Sequence, residues 1–347
     1  MRALVLTAQA PLTVNPSPLS LIEVPVPDPA PGQVRIRVAA CGICHTDLHI
    51  VEGELRAPAL PLVPGHQVVG IVEATGHEVT HLRAGDRVGV AWLAWTDGTC
   101  ARCREGRENL CAQIRFTGFD VAGGYADAIV ADARYVYRIP PQFADHEAAP
   151  LLCAGIIGYR SLRVAETQPG ERLGLFGFGS SAHLAIQVAR HWGCEDYVFT
   201  RSQAHRDLAR SLGAAWTGGL EDTPPGPVDR GVVFAPSGSV VVGALRHLRR
   251  GGTLAINAVY LDRIPEFAYE WIYWERTLRS VANATRADAE EFLALAAELS
   301  LRVSARQVRP DEANAALAAV KRGEIQGSAV LRFSGVIYRR ISHLCHA

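Results

Sequence analysis

The chain has 347 residues, 48% of them apolar, with 35 Lys plus Arg against 35 Asp plus Glu. That length suits two domains, and the charge balance leaves neither the basic field of a nucleic-acid binder nor an acidic tail. The start, MRALVLTAQAPL, turns polar and Pro-rich after one basic residue, unlike a signal peptide, and no run of about 18 apolar residues is present to span a bilayer. The reading is a cytoplasmic globular enzyme with a small-molecule substrate and neither nucleic acid nor membrane as a partner.

In chain order, residues 16–31 hold six prolines, which favours an extended path over a helix. Short β-like runs follow: VRIRVAA, QVVGIVEATG, RVGVAWLAW and ADAIVADARYVYRI, punctuated by Gly and Pro as in an irregular β-rich domain. Near residue 150 the texture changes. RLGLFGFG, SSAHLAIQVARHWG, DYVFTRS and QAHRDLARSLGA read as strand, helix, strand, helix, with Leu184, Ala185, Val188 and Ala189 at helical spacing. Ser180 or Ser181 is placed to cap the first helix and Gly193 to end it. GVVFAP, a helix through SVVVGALRHLRR, GGTLAINAV and TLRSVAN continue the alternation. It implies a parallel sheet covered on both faces. The last stretch, from about 287, reads helix (ADAEEFLALAAELS), short strand, helix (ANAALAAVKRG) and the strand SAVLRF.

Eight cysteines occur, at 41, 44, 100, 103, 111, 153, 194 and 345. Clustered cysteines in a chain of this kind more often bind metal or do chemistry than pair as a secreted disulfide framework. Cys41 and Cys44 form a CxxC within CGICHTDLH; by spacing alone it is either a redox pair or part of a metal site. Cys44, His66 (in PGHQ) and Cys153 (in PLLCAG) come from distant segments and are the right donor types for a catalytic zinc with its fourth position open. The loop DGTCARCREGRENLC carries three thiols, one ligand short of a four-cysteine site.

Gly177-Phe178-Gly179-Ser180-Ser181-Ala182 is a GxGxxA loop between an apolar strand and a helix, the context in which such a string binds a dinucleotide. Gly177 permits the turn, Gly179 lets pyrophosphate approach, and the N–H groups at Ser180 and Ser181 open the helix toward the phosphates. An NAD site usually places Asp or Glu at the end of the next strand. Here Thr200, Arg201 and Ser202 stand there, a set suited to a 2′-phosphate, so NADP is expected over NAD.

Taken in order, GICHTDLH, PGHQ, DxxCxxCx₇C, PLLCAG and GxGxxA closely resemble the zinc-dependent medium-chain alcohol dehydrogenases over nearly the whole chain. The resemblance implies an α/β protein: a GroES-like β-rich catalytic domain (1–152, completed by 287–347 with its C-terminal tail) around a Rossmann doubly wound parallel-sheet cofactor domain (153–286). It implies reversible oxidation of primary or secondary alcohols to aldehydes or ketones, the alcohol ionised on zinc and hydride passing to a nicotinamide. Cys44, His66 and Cys153 are then the catalytic zinc ligands, with Cys41 not among them, and Asp47 orients His66. Thr46 and His49 carry the proton. His45, Asn257 and Val259 face the cofactor, and Val51, Leu55 and Trp92 line the substrate pocket, one expected to take medium-length or branched alcohols. A structural zinc falls to Asp97, Cys100, Cys103 and Cys111, Asp97 standing where the family has its first cysteine; the alternative is a metal-free loop with free or paired thiols. Three positions depart from the family: Gln67 for Glu, Ile157 for Thr and Ser328 for Arg. The family's usual pairing through the last strand of the Rossmann sheet, near TLRSVAN, implies a homodimer or homotetramer. After Phe333, SGVIYRRISHLCHA extends beyond the family's usual end; its Cys345 and His346 read as a packed or frayed terminus rather than a metal site.

Overall fold

The computed structural model describes residues 1–333; the Cys345 and His346 reading lies outside the described residues. Two sheets dominate. The first is antiparallel around one long strand, Gln33–Ile43, which pairs with Gln67–Thr75, Ala128–Asp132 and Ser328–Arg332. Alternation explains it: Val34, Ile36 and Val38 point into the core while Arg35 and Arg37 point outward. Arg87–Val90 pairs with Gln67–Thr75 on one flank, and Ala305–Val308 runs parallel to Ser328–Arg332 on the other. The chain thus leaves this sheet, builds a second one, and returns to complete the first.

The second sheet is parallel throughout. Its strands in chain order are Arg172–Phe176, Glu195–Phe199, Trp216–Gly218, Val228–Val233, Leu248–Ile256 and Thr277–Ser280. Across the sheet they run third, second, first, fourth, fifth, sixth, the doubly wound dinucleotide-binding order. Leu173, Leu175, Val198, Val232 and Ala255 are fully buried beneath helix Ser180–His191 and its neighbours. The order changes direction at Arg172–Phe176, so the crevice opens at its C-terminal end, where the glycine loop lies.

Three local readings change. The helix expected over SVVVGALRHLRR spans Gly238–His247, and Leu248 to Arg250 already belong to the next strand; Leu248 is buried against Val228 of the neighbouring strand, so sheet pairing overrides the helical tail. Neither Ser180 nor Ser181 caps helix Ser180–His191: Gly179 holds the cap position without a side-chain bond. The helix ends at His191, with Gly193 two residues on at φ +80°. The strand RVGVAWLAW divides into Arg87–Val90 and Leu93–Trp95. No helix of the described residues is long and apolar enough to cross a membrane.

Candidate active site and metal loop

The first cluster is built at the start of helix His45–Glu52, which the sequence pattern alone does not reveal. Cys44 caps it: its sulfur accepts from the Thr46 N–H at 3.3 Å, while its own N–H donates to Asp47 Oδ2 at 2.9 Å. This reciprocal cap fixes the thiol at the helix N-terminus, where backbone dipoles favour a thiolate. The other Asp47 oxygen accepts from the Gly65 N–H at 3.2 Å and lies 3.3 Å from His66 Nδ1, a close but poorly aligned approach. His66 Nε2 is thereby turned toward Cys44 Sγ, at 3.3 Å. Cys153 arrives from a π-helical turn, Leu151–Gly155. The donor atoms of Cys44, His66 and Cys153 lie within 4.8 Å of one another.

The Cys44–His66 separation is close to the sulfur–nitrogen edge of about 3.5 Å in a zinc tetrahedron at the usual Zn–S and Zn–N lengths, and no pair of donors exceeds 4.8 Å. The electrostatics agree. The Cys153 thiol, hydrogen-bonded to Cys44, and the neighbouring His66 hold the Cys44 thiol well below its usual range despite burial. The same bond and burial push Cys153 well up. Burial alone would lower His66, but the Cys44 thiolate and Asp47 outweigh it and bring the imidazole to about 10. Two sulfurs and a carboxylate-backed imidazole at this spacing hold a proton where a divalent cation fits.

Cys41 stays out of this cluster. It is fully buried against Gly65 and Gly124, and burial pushes its thiol well up. Gln67 is buried with Oε1 unpartnered, its amide lying where a side chain on Gly42 would sit.

The cluster opens on a cavity of about 560 Å³ between the two sheets, which also receives Gly179, Ser180, Ser181, Asn257 and Val259. Gly177 has φ +94°, and a Cβ there would lie 3.0 Å from the Ala235 nitrogen; a Cβ on Gly179 would meet only open space. The glycines therefore do what a pyrophosphate loop needs: one makes the turn and one leaves the backbone bare. Ser180 bonds across the cleft to Ser328 of the returning strand. The expected 2′-phosphate group stands apart from this cavity. Ser202 caps helix Gln203–Ser211 by accepting from the His205 N–H at 3.3 Å, Arg201 is exposed, and Arg206 donates to the Thr200 carbonyl.

Thr46, His45 and His49 line the cavity with Leu55 and Trp92. Val51 does not: it is fully buried in the core of the first sheet, its helix face turned away from the cleft. Trp92 stacks on Phe116, ring centroids 4.8 Å apart, and meets the His66 ring in a T-shaped contact. Burial lowers His45. His49 Nδ1 lies 2.5 Å from Glu54 Oε2, a partner the sequence reading missed. Gly53 ends the helix at φ +83°, and the reversal carries Glu54 back onto His49; a glycine before an acid five residues after a histidine was the available signal.

The second cluster joins Asp97, Cys100, Cys103 and Cys111, again with donors within 4.8 Å. Asp97 is bifunctional. Oδ1 accepts from the Thr99 and Cys100 N–H groups at 2.8 and 2.9 Å, closing the turn, while Oδ2 faces Cys111 Sγ at 3.3 Å. Those backbone donors hold its carboxyl well below the usual range. Cys100 and Cys103 sulfurs are 3.6 Å apart on a short helical turn. Three sulfurs and one carboxylate oxygen fit a closed zinc site.

Residues 30–141 match the alcohol dehydrogenase GroES-like domain family. The chain is 45% identical over 327 residues to the probable alcohol dehydrogenase AdhA of Mycobacterium tuberculosis, covering 92% of this chain and 94% of that one. It is 34% identical over 325 residues to an alcohol dehydrogenase of Geobacillus stearothermophilus, covering 91% and 96%. Among solved structures it is similar to a cinnamyl alcohol dehydrogenase from Sorghum bicolor (TM-score 0.87, 28% identity, 95% of this chain and 97% of that one). It is also similar to the alcohol dehydrogenase of Aeropyrum pernix (TM-score 0.86, 28% identity, 96% and 100%).

Proposed function

The chain belongs to the zinc-type medium-chain alcohol dehydrogenase family, and from that membership we propose that it reversibly oxidises primary and secondary alcohols to aldehydes and ketones with a nicotinamide cofactor. The observation that carries this is the shared cavity: Cys44 and Cys153, which converge with His66, and Gly179, Ser180 and Ser181 of the glycine loop all line the same space. In this reading Cys44, His66 and Cys153 hold a zinc that acts as a Lewis acid on the substrate oxygen when bound, and the cofactor supplies the hydride acceptor. Asp47 fixes the His66 ring so that Nε2 faces the donors. Thr46 receives the substrate proton, and His49 passes it outward with Glu54 poised on Nδ1. Trp92, Phe116 and Leu55 exclude water from the inner cavity.

Finer features follow from the same residues. The flat Trp92–Phe116 wall suits aromatic as well as medium-length or branched alcohols. NADP is preferred over NAD, because Thr200, Arg201 and Ser202 present no carboxylate to repel a 2′-phosphate. The catalytic domain runs 1–152 and 287–347 around a cofactor domain at 153–286. Asp97, Cys100, Cys103 and Cys111 hold a second, structural zinc. Thr277–Ser280, the edge strand of the parallel sheet, is the pairing edge of a homodimer or homotetramer. The seven described cysteines are all unpaired, which accords with a cytoplasmic enzyme.

Initial rates across an alcohol and aldehyde panel with both cofactors, beside zinc content, test the proposal. Turnover of aryl and branched alcohols with NADP at two zinc per subunit is expected. A protein holding zinc in the first cluster that turns over no alcohol or carbonyl overturns the function, and a clear NAD preference overturns the cofactor assignment alone.

A further inference from the structure

The loop from Asp97 to Cys111 does more than close on itself, because both its ends lead to Arg286. At the C-terminal end, Glu108 and Asn109 are 5% and 6% exposed, unusual for polar residues in a charged surface loop. Glu108 Oε1 accepts from the Arg286 backbone N–H at 2.9 Å and lies 3.4 Å from its Nε. Asn109 Nδ2 donates to the Ala282 carbonyl at 2.8 Å. At the N-terminal end, buried Thr96 shares a 2.7 Å hydrogen bond with the Tyr135 hydroxyl, and the Arg286 guanidinium lies 5.4 Å from the centre of the Tyr135 ring.

What these contacts hold bears on the site. Residues 281–285 form one wall of the 560 Å³ cavity. Arg286 opens the 14-residue helix Arg286–Leu299. Glu108 satisfies its first N–H and sets a negative charge at its positive end. Phe292 of that helix packs so tightly on the turn presenting Cys153 that a Cβ on Gly155 would fall 2.3 Å from its ring. Asn109 itself lines the cavity beside that wall, so the loop grips the wall through Asn109 at the cavity's edge and the helix behind Cys153 through Glu108, which stands outside the cavity.

We propose that Glu108 and Asn109 are positioning residues that latch the substrate-cavity wall to the Asp97–Cys111 loop, so that an ordered loop sets which alcohols the cavity admits. The latch uses no metal itself, but the rigidity behind it rests on the Asp-Cys₃ reading of that loop.

Three holoenzyme variants test it. Asn109→Asp keeps the size and replaces the amide donor with an acceptor facing the Ala282 carbonyl. Glu108→Ala removes the acceptor, and Glu108→Gln retains one. Zinc content, hydrogen exchange at amides 281–287, and KM and kcat for ethanol and for a bulky aryl alcohol are measured on each. Asn109→Asp and Glu108→Ala are expected to speed that exchange about tenfold, the scale of one lost hydrogen bond to a charged or buried partner. KM for the aryl alcohol should rise severalfold, more than kcat falls and more than KM for ethanol, while Glu108→Gln restores near-wild-type exchange. Unchanged exchange in both disrupting variants, or equal KM changes for small and bulky alcohols, overturns the latch. Wild-type enzyme with one zinc per subunit and free loop thiols overturns the metal reading instead, and leaves the exchange result to judge the latch.

Discussion

Asp196 offers a prediction that can be worked to a number. It lies in strand Glu195–Phe199, 1% exposed, with both carboxylate oxygens buried and unpartnered. Burial pushes its pKa up to about 8, opposed only by attraction to Arg190; the ordinary value is 3.8. For an acid the upward shift means that the folded protein holds the proton more tightly than the unfolded chain. The contribution of Asp196 to stability is therefore greatest below about pH 4 and falls as pH rises, levelling once the folded group ionises near pH 8. The slope is about 1.4 kcal/mol per pH unit, and from pH 6 to pH 8.5 the loss integrates to about 2.5 kcal/mol. Asp196→Asn has the same shape and does not titrate. Its amide carries a constant cost in this site, so the informative quantity is how the difference from wild type changes with pH. Urea midpoints of the zinc-loaded enzymes at pH 6, 7 and 8.5 measure it, and the variant should gain on wild type by about 2–3 kcal/mol across that range. A difference that stays constant with pH refutes the reasoning and places a compensating partner at Asp196.

Other outcomes follow from the site. Asp97→Ala should lower zinc content from two to one per subunit and reduce thermal stability, while Asp97→Cys keeps both ions; elemental analysis and a melting curve decide. Asp47→Asn should weaken retention of the catalytic metal about 10–100-fold in chelator competition, because His66 loses the charge that orients it. Glu54→Gln should cut kcat roughly tenfold with little change in KM, as befits a group that receives a proton beyond His49; unchanged kcat under conditions where hydride transfer limits the rate would remove it from the relay.

Much of the site was legible because its chemistry is written in short segments. A glycine loop between an apolar strand and a helix, and thiols at metal spacing, are local facts. The parallel sheet was legible for the same reason, since strand and helix alternate with clear periods. Where the reading failed, the deciding interaction was not local. Leu248 looked helical by continuity with the preceding residues, yet pairing with Val228 makes it strand. Ser180 looked like a cap, yet its hydroxyl is taken by Ser328, 148 residues away. Val51 looked like a pocket residue from its position in the motif, but the rotation of helix His45–Glu52 buries it in the core. Glu54 was missed because the helix and its glycine stop were not foreseen.

By itself, the sequence determined the donor types, the glycine loop, the two-texture organisation and the family. Those properties reside in side-chain chemistry and in periods a few residues long, which survive without knowledge of the fold. The tertiary structure alone decided that Cys44, His66 and Cys153 converge, that one oxygen of Asp97 closes a turn while the other faces the thiols, and that Glu108 and Asn109 reach a helix and a cavity wall far along the chain. Such pairings depend on how two sheets pack and where the chain returns, and angstrom distances between remote segments have no counterpart in local spacing.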